Sequence, residues 1–261
     1  MEQNLKELEE RSIYILREAN SRFKSVAALW SMGKDSTTML ALARKAFLGK
    51  VPFPVIHIDN GIDFPETYEF REKLAKKWKL DLIVARSEIK PEISGFSCCG
   101  SNKTEALKKV MNDYRFDALI VSIRRDEHGI RAKERVFSVR DKNFKWNYKN
   151  QPAELWDDYS SKLDTSGHVR VHPLLDWNEI DIWRYIKKEK IPINPLYLSR
   201  NGFRYRSLGC THCTVPIKSN AKDINSIIKE LKTTDVEERS GREQDKEKEY
   251  VMQKLRALGY M

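Results

Sequence analysis

The sequence predicts an α/β protein with a doubly wound, mostly parallel sheet, followed by a helical C-terminal tail. Three observations support this prediction. Short apolar segments alternate with amphipathic segments of helical spacing, as in parallel sheets covered by helices on both faces. A polar loop joins the first apolar segment to the next helix, at the sheet edge where such folds bind ligands. From residue 216 the chain is highly charged and helical in pattern.

The individual elements follow from hydrophobic periodicity. Buried strands are predicted at Val26–Trp30, Val55–Ile58, Asp81–Val84 and Ala118–Val121. Helices are predicted at about Leu5–Phe23 and at Thr38–Phe47, Tyr68–Lys79, Thr104–Tyr114, Asn178–Lys188, Ile224–Lys232 and Glu243–Leu258. The polar, aromatic-rich stretch 124–164 is predicted to be a long functional loop.

Length and charge limit the function classes. The 261 residues contain no linker or low-complexity run, so we expect a catalytic domain over 1–215 and a helical extension over 216–261. The charged run around Glu237–Arg239 is expected to face solvent or a partner. The net charge of +10 indicates anionic partners such as ATP, sulfate or nucleic acid, or simply lysine-rich solvated helices. With no membrane-length apolar stretch and no signal-peptide pattern at the N-terminus, a cytoplasmic protein without membrane contact is expected.

The segment Ser31–Ser36 carries the clearest chemical signal. It follows the first predicted strand and precedes a helix, so its amides and the helix dipole would converge on an anion. Gly33 allows close approach to the backbone, and Ser31 and Ser36 add hydroxyl donors. The spacing differs from that of a Walker A loop.

The four cysteines form two pairs, Cys98–Cys99 and Cys210–Cys213. In a cytoplasmic protein such pairs are more often metal ligands than disulfides. Four thiolates are compatible with zinc or with a [4Fe-4S] cluster.

The hexapeptide Ser31–Ser36 resembles the Ser-Xaa-Gly-Xaa-Asp-Ser pyrophosphate loop of the ATP pyrophosphatases. Further segments resemble the small subunit of sulfate adenylyltransferase, in the superfamily shared with phosphoadenylyl-sulfate reductases. These segments are Pro52–Asp59, Phe64–Leu82, Arg124–Glu127, Arg131–Arg135, Arg140–Asn143, Glu154–Trp156, Val171–Leu174, Asp181–Ile186 and Pro192–Tyr197. The resemblance covers most of the chain and implies an adenine nucleotide α-hydrolase-like fold.

The resemblance also implies a reaction and its site residues. An anionic oxygen would attack the α-phosphate of ATP, giving an adenylylated acceptor and pyrophosphate, with Mg²⁺ bridging the phosphates. The nucleotide contacts would be Ser31, Gly33, Lys34, Asp35, Ser36, Thr37 and Asp59, with Asp35 either a magnesium ligand or a helix cap. The catalytic residues would be Lys34, Asp35, Arg124, Arg125 and Arg131, and Lys133 and Arg135 would add positive charge. Arginine suits this role because its guanidinium group binds oxyanions bidentately.

The cysteine pattern resembles the cluster motif of the assimilatory adenylyl-sulfate reductases, although the spacing between the pairs is about thirty residues longer. The resemblance favours a [4Fe-4S] cluster on Cys98, Cys99, Cys210 and Cys213 over zinc and over unligated or redox-active thiols. Because no cysteine follows Cys213, a reductase nucleophile is missing and reductase activity is not expected.

Three acceptors remain open at this point. The extent of the match favours sulfate, with a GTPase partner subunit. The positive charge and the cysteines favour a DNA phosphodiester, as in DNA phosphorothioation, with DNA-modification proteins as partners. A tRNA base is the third acceptor, and a non-catalytic nucleotide sensor is an alternative from another class, although the intact loop argues against it.

Overall fold

The computed structural model describes residues 2–86, 96–127, 131, 133–147, 154, 167–234 and 238–239, with the backbone alone for 96–102. The helices are α1 (Glu2–Arg22), α2 (Lys34–Ala46), α3 (Pro65–Trp78), α4 (Phe96–Asp113), α5 (Glu179–Glu189) and α6 (Ile224–Leu231). The strands are β1 (Val26–Leu29), β2 (Val55–Asp59), β3 (Leu82–Arg86), β4 (Ala118–Ile120), β5 (Phe137–Arg140), β6 (His168–Val171), β7 (Phe203–Arg204) and β8 (Ile217–Lys218).

Six strands form the main sheet in the order β3-β2-β1-β4-β6-β5. All neighbouring pairs are parallel except β5 and β6, which are antiparallel. The chain extends the sheet from β1 towards β2 and β3, and then returns to the other side of β1 with β4. This reversal makes the carboxyl end of β1 a topological switch point, where open α/β sheets bind ligands. The predicted fold class is confirmed.

The central strands are short and fully buried. Each residue of β1, β4 and β6 is buried, because helices cover both faces of this part of the sheet. Helix α2 packs against α1 and α5, and α5 packs against α6. Ile227 of α6 is completely buried in the main core. Part of the charged C-terminal region is thus anchored to the catalytic body.

The sequence prediction omitted β5 and β6. Strand β6 contains His168 and Arg170, which are each 3% exposed and alternate with two buried valines. Charged residues inside a buried strand interrupt the apolar run by which such strands are recognised. Helix α2 also begins four residues earlier than predicted, at Lys34, so part of the polar loop forms its first turn. The predicted helix at 243–258 lies outside the described residues.

Among the residues that the structure describes, none of the helices combines the length and apolar character that crossing a bilayer requires.

A buried hydroxyl links α1 to the segment after β6. Ser12 Oγ lies 2.7 Å from the Pro173 carbonyl oxygen and accepts a hydrogen bond of 2.9 Å from Trp177 Nε1. Ser12→Ala would leave both groups unsatisfied, so we expect a loss of about 1–3 kcal/mol in the free energy of unfolding. The exposed change Gln3→Ala on the same helix should cost under about 0.5 kcal/mol. Urea denaturation of both variants measures the difference, and equal midpoints would contradict this account.

Candidate nucleotide-binding site

The loop after β1 is held in shape by its own hydroxyl groups. Ser31 Oγ and Ser36 Oγ lie 3.2 Å apart, and Ser36 Oγ also accepts from the Ser31 backbone N–H and lies 3.2 Å from the Gly33 carbonyl oxygen. Met32 has a positive φ of 57°, which makes the tight turn between strand and helix. Trp30 Nε1 donates to Thr37 Oγ1 at 3.1 Å, so the Thr37 hydroxyl faces the core.

Tyr197 closes the start of α2. Its hydroxyl oxygen accepts the Lys34 backbone N–H at 2.9 Å, which occupies one of the amides that begin the helix. A Cβ on Gly33 would lie 3.3 Å from both Tyr197 Oη and Ser31 Oγ, so the site has little room for a larger residue there. Burial raises the pKa of Tyr197 to about 12, so the phenol stays neutral in the physiological range.

Two buried cations meet two carboxylates next to this loop. The side chains of Lys34 and Arg124 are 1% and 0% exposed. Lys34 Nζ lies 3.2 Å from Asp35 Oδ2 and also contacts Glu238. Arg124 contacts the same two carboxylates. Arg124 Nε pairs with Asp126 Oδ1 at 2.9 Å. We call Lys34, Arg124, Asp35 and Glu238 the charge centre.

Lys34 and Glu238 are held in their ionised forms. Burial alone would lower the pKa of Lys34, but Asp35 and Glu238 outweigh it and hold that pKa above its usual value. Burial alone would raise the pKa of Glu238, but Arg124 and Lys34 outweigh it and hold that pKa well below its usual range. The two side chains therefore face each other as a buried ion pair.

A third carboxylate lies beside the charge centre. Glu127 ends the 3-10 turn Arg125–Glu127, contacts Arg131, and lies 3.7 Å from Arg239 Nη1. Carboxylate oxygens of Asp35, Glu127 and Glu238 lie within 4.8 Å of one another. Oxygen ligands of this kind suit Mg²⁺.

The structure separates the predicted basic residues. Arg124 and Arg131 lie at the site, but Arg125 pairs with Asp176 and its side chain is 37% exposed. Lys133 is exposed. Arg124 precedes the 3-10 turn and enters the charge centre, whereas Arg125 is the first residue of that turn and points to Asp176.

Asp59 ends β2 at the same edge of the sheet. Its carboxylate accepts from the Gly61 N–H and the Tyr68 hydroxyl, both at 2.9 Å, and lies 3.5 Å from Arg71. Burial opposes ionisation, but the hydrogen bonds from Gly61 and Tyr68 hold the pKa of Asp59 below its usual value. Burial lowers the pKa of His57 itself to about 4, so this imidazole is neutral.

The cysteine pairs lie near the same edge. Cys210 and Cys213 are 1% and 9% exposed, with their Sγ atoms 2.6 Å apart, and pack against Ile62. The Thr211 N–H donates to the Ile62 carbonyl oxygen at 3.0 Å, which ties this segment to the loop after β2. Cys98 and Cys99 lie in the first turn of α4, and their side chains are outside the described part of the chain.

Sequence reasoning missed three residues of the site. Glu238 was expected to face solvent or a partner, but its side chain is 7% exposed and buried against Lys34 and Arg124. Its charged neighbours in the sequence predict an exposed position. The contact with the loop after β1 forms only in the folded chain. Tyr197 and Glu127 lie within segments that carry the family resemblance, which gave neither of them a role.

Comparison with known proteins identifies the family of this chain. Residues 25–216 match the phosphoadenosine phosphosulfate reductase domain. Sulfate adenylyltransferase subunit 2 of Baumannia cicadellinicola subsp. Homalodisca coagulata is 40% identical, with 98% of this chain and 97% of that protein covered.

Solved structures share the fold at lower identity. Candida glabrata FMN adenylyltransferase in complex with ATP has a TM-score of 0.59 and 20% identity, covering 82% of this chain and 64% of that one. Phosphoadenylyl-sulfate reductase from Candida auris has a TM-score of 0.53 and 18% identity, covering 82% and 98%. The chain belongs to the phosphoadenosine phosphosulfate reductase domain family and, within it, to the family of sulfate adenylyltransferase subunit 2.

Proposed function

We propose that this chain is the ATP-cleaving subunit of a sulfate adenylyltransferase. A sulfate oxygen attacks the α-phosphorus of ATP, the bond from that phosphorus to the α–β bridging oxygen breaks, and adenylyl sulfate and pyrophosphate form. The observation that carries this proposal is the charge centre at the start of α2, where Lys34 and Arg124 are both buried. The nearly full-length similarity to subunit 2 proteins supports sulfate as the acceptor.

The loop and the two cations suit a leaving pyrophosphate. Ser31, Gly33 and Ser36 border the start of α2, where helix amides and the dipole favour phosphate oxygens. Lys34 and Arg124 would neutralise charge that grows on the β-phosphate as the bond breaks, in a site from which water is largely excluded.

Two carboxylates could hold magnesium beside the triphosphate. Asp35 and Glu127 would be the ligand groups, and Mg²⁺ would reduce the negative charge of the triphosphate when bound. Asp59, at the end of β2, lies where it could contact the nucleoside. Its engagement by Gly61, Tyr68 and Arg71 would then orient the carboxylate for that contact.

A [4Fe-4S] cluster would serve as a structural group beside the nucleotide. Cys210 and Cys213 supply two adjacent buried thiols, and thiolates are the usual ligands of such clusters. Helix α4 follows β3 and packs against β2 and β3, and the Cys210 segment bonds to the loop after β2. This arrangement supports a shared site with Cys98 and Cys99.

The name "subunit 2" of the relatives supports a complex with a second subunit. We propose a GTPase in that role, since GTP hydrolysis could drive an unfavourable adenylylation. A second candidate function, activation of DNA for phosphorothioation, is favoured by the net charge of +10 and the cysteine pattern. Stimulation of pyrophosphate release by duplex DNA but not by sulfate would select this second function.

Arg124 and Arg125 offer a matched pair for testing the site. Arg124→Met removes a buried guanidinium from the charge centre, so we expect kcat/KM to fall by about 100-fold or more. Arg125→Met removes a neighbouring arginine whose ion pair is with Asp176, and kcat/KM should stay within about threefold. The measurement is sulfate-dependent pyrophosphate release with the partner subunit and GTP. Equal losses in the two variants would contradict the assignment.

The cysteine proposal predicts iron in anaerobically purified protein. We expect roughly four irons per chain. Cys213→Ser should lower the iron content and the thermal stability together, because cluster binding contributes to folding. His212→Ala, an exposed position between the two cysteines, should retain the iron. One zinc and no iron by elemental analysis would show a zinc site instead.

A further inference from the structure

Glu238 uses both of its carboxylate oxygens on the charge centre. Oε1 contacts Lys34 Nζ, and Oε2 contacts Arg124 Nη2. These cations are buried on α2 and directly after β4, whereas Glu238 comes from the chain beyond α6. It also lies outside residues 25–216, which match the family domain.

The two cations are already satisfied by carboxylates. Arg124 offers Nη1 to Asp35, Nη2 to Glu238 and Nε to Asp126, so each of its nitrogens faces a carboxylate. Lys34 Nζ contacts Asp35 and Glu238. A phosphate oxygen can take over one of these contacts only if the carboxylate that makes it gives way.

Glu238 is the carboxylate best placed to give way. Asp35 belongs to α2 itself, and Asp126 is fixed by accepting the Glu179 backbone N–H at 2.8 Å as well as pairing with Arg124. In the part of the chain that the structure describes, the bonds of the Glu238 carboxylate run to Lys34 and Arg124. The Glu238 carboxylate would thus be held by two ionic contacts, and a phosphate can replace both of them.

We propose that Glu238 is an exchangeable counterion of the phosphate site: it neutralises Lys34 and Arg124 while no nucleotide is bound, yields them to the phosphates of ATP, and takes them back as pyrophosphate leaves. This inference rests on the proposed function. It gives Glu238 a positioning role in phosphate binding and product release. Without Glu238, Lys34 and Arg124 would share the Asp35 carboxylate between turnovers, with Asp126 on Arg124 alone, and buried charge that is only partly compensated is costly in a site of low polarity.

Removal of the Glu238 charge should strengthen phosphate binding. When an internal group competes for the site, the apparent affinity equals the intrinsic affinity multiplied by the fraction of molecules in which the site is free. If Glu238 occupies the cations in about 90% of molecules, its removal should tighten phosphate binding about tenfold. A residue that held ATP directly, or through a magnesium ion, would have the opposite effect when removed.

The experiment is calorimetric titration of the full chain with pyrophosphate and with ATP, each in the presence of Mg²⁺. Glu238→Gln removes the charge with little change in size, and we expect both ligands to bind about tenfold more tightly than to the wild type. Glu230→Gln is the matched control, since Glu230 pairs with the buried Arg204 in another part of the molecule. Its affinities should stay within about twofold of the wild type.

Thermal unfolding provides a second readout. Without ligand, Glu238→Gln should unfold at a lower temperature than the wild type, because Lys34 and Arg124 lose their shared anion. Saturating pyrophosphate should raise its melting temperature by more than that of the wild type. If Glu238→Gln fails to fold, Glu238→Asp takes its place. Its shorter side chain should weaken the competition and give an intermediate gain in affinity.

Two outcomes overturn the inference in distinguishable ways. Unchanged or weaker binding of pyrophosphate and ATP to the folded variant, with sulfate-dependent activity intact in the wild type, would overturn the role of Glu238 alone. Absence of binding to wild type and variant alike would remove the phosphate site and the proposed function with it.

Discussion

The site depends on the neutralisation of two fully buried cations. Lys34 and Arg124 come from different elements, yet both point to one spot beside the loop after β1. Burying such charges is costly unless each finds a nearby anion. Asp35 and Glu238 supply those anions, and phosphate oxygens of ATP would replace Glu238 in the proposed reaction. The same electrostatic requirement supports an anionic ligand at this position.

The sheet topology explains why these groups meet. Strands β1 and β4 are adjacent and parallel, so Lys34, which follows β1, and Arg124, which follows β4, emerge at the same edge. Asp59 follows β2 at that edge too. Tyr197 reaches the loop from a 3-10 turn and accepts the first N–H of α2, which fixes the start of the helix relative to the rest of the body. The groups of the candidate site are thus positioned by strand ends and one helix terminus rather than by a single loop.

The sequence could predict this architecture and much of the site, for physical reasons that particular residues show. Val26–Leu29 and the residues Ser31–Ser36 form a local strand-loop-helix pattern, which depends on near neighbours alone. Glu238 could not be found in this way, because its burial depends on a contact with Lys34 some 204 residues away. Arg125 stands next to Arg124 in the sequence, and only the structure shows that it pairs with Asp176 instead of entering the charge centre. Strand β6 was missed because its histidine and arginine interrupt the apolar run by which a buried strand is recognised.

In the proposed reaction the charge centre holds the leaving pyrophosphate while sulfate attacks the α-phosphorus. The decisive measurement uses ATP labelled at the α-phosphate, incubated with the protein, sulfate, Mg²⁺ and the proposed GTPase subunit with GTP. The account predicts that the label appears in adenylyl sulfate as unlabelled pyrophosphate is released. Label recovered in ADP, with inorganic phosphate as the second product, would show cleavage at the other bond and contradict the account.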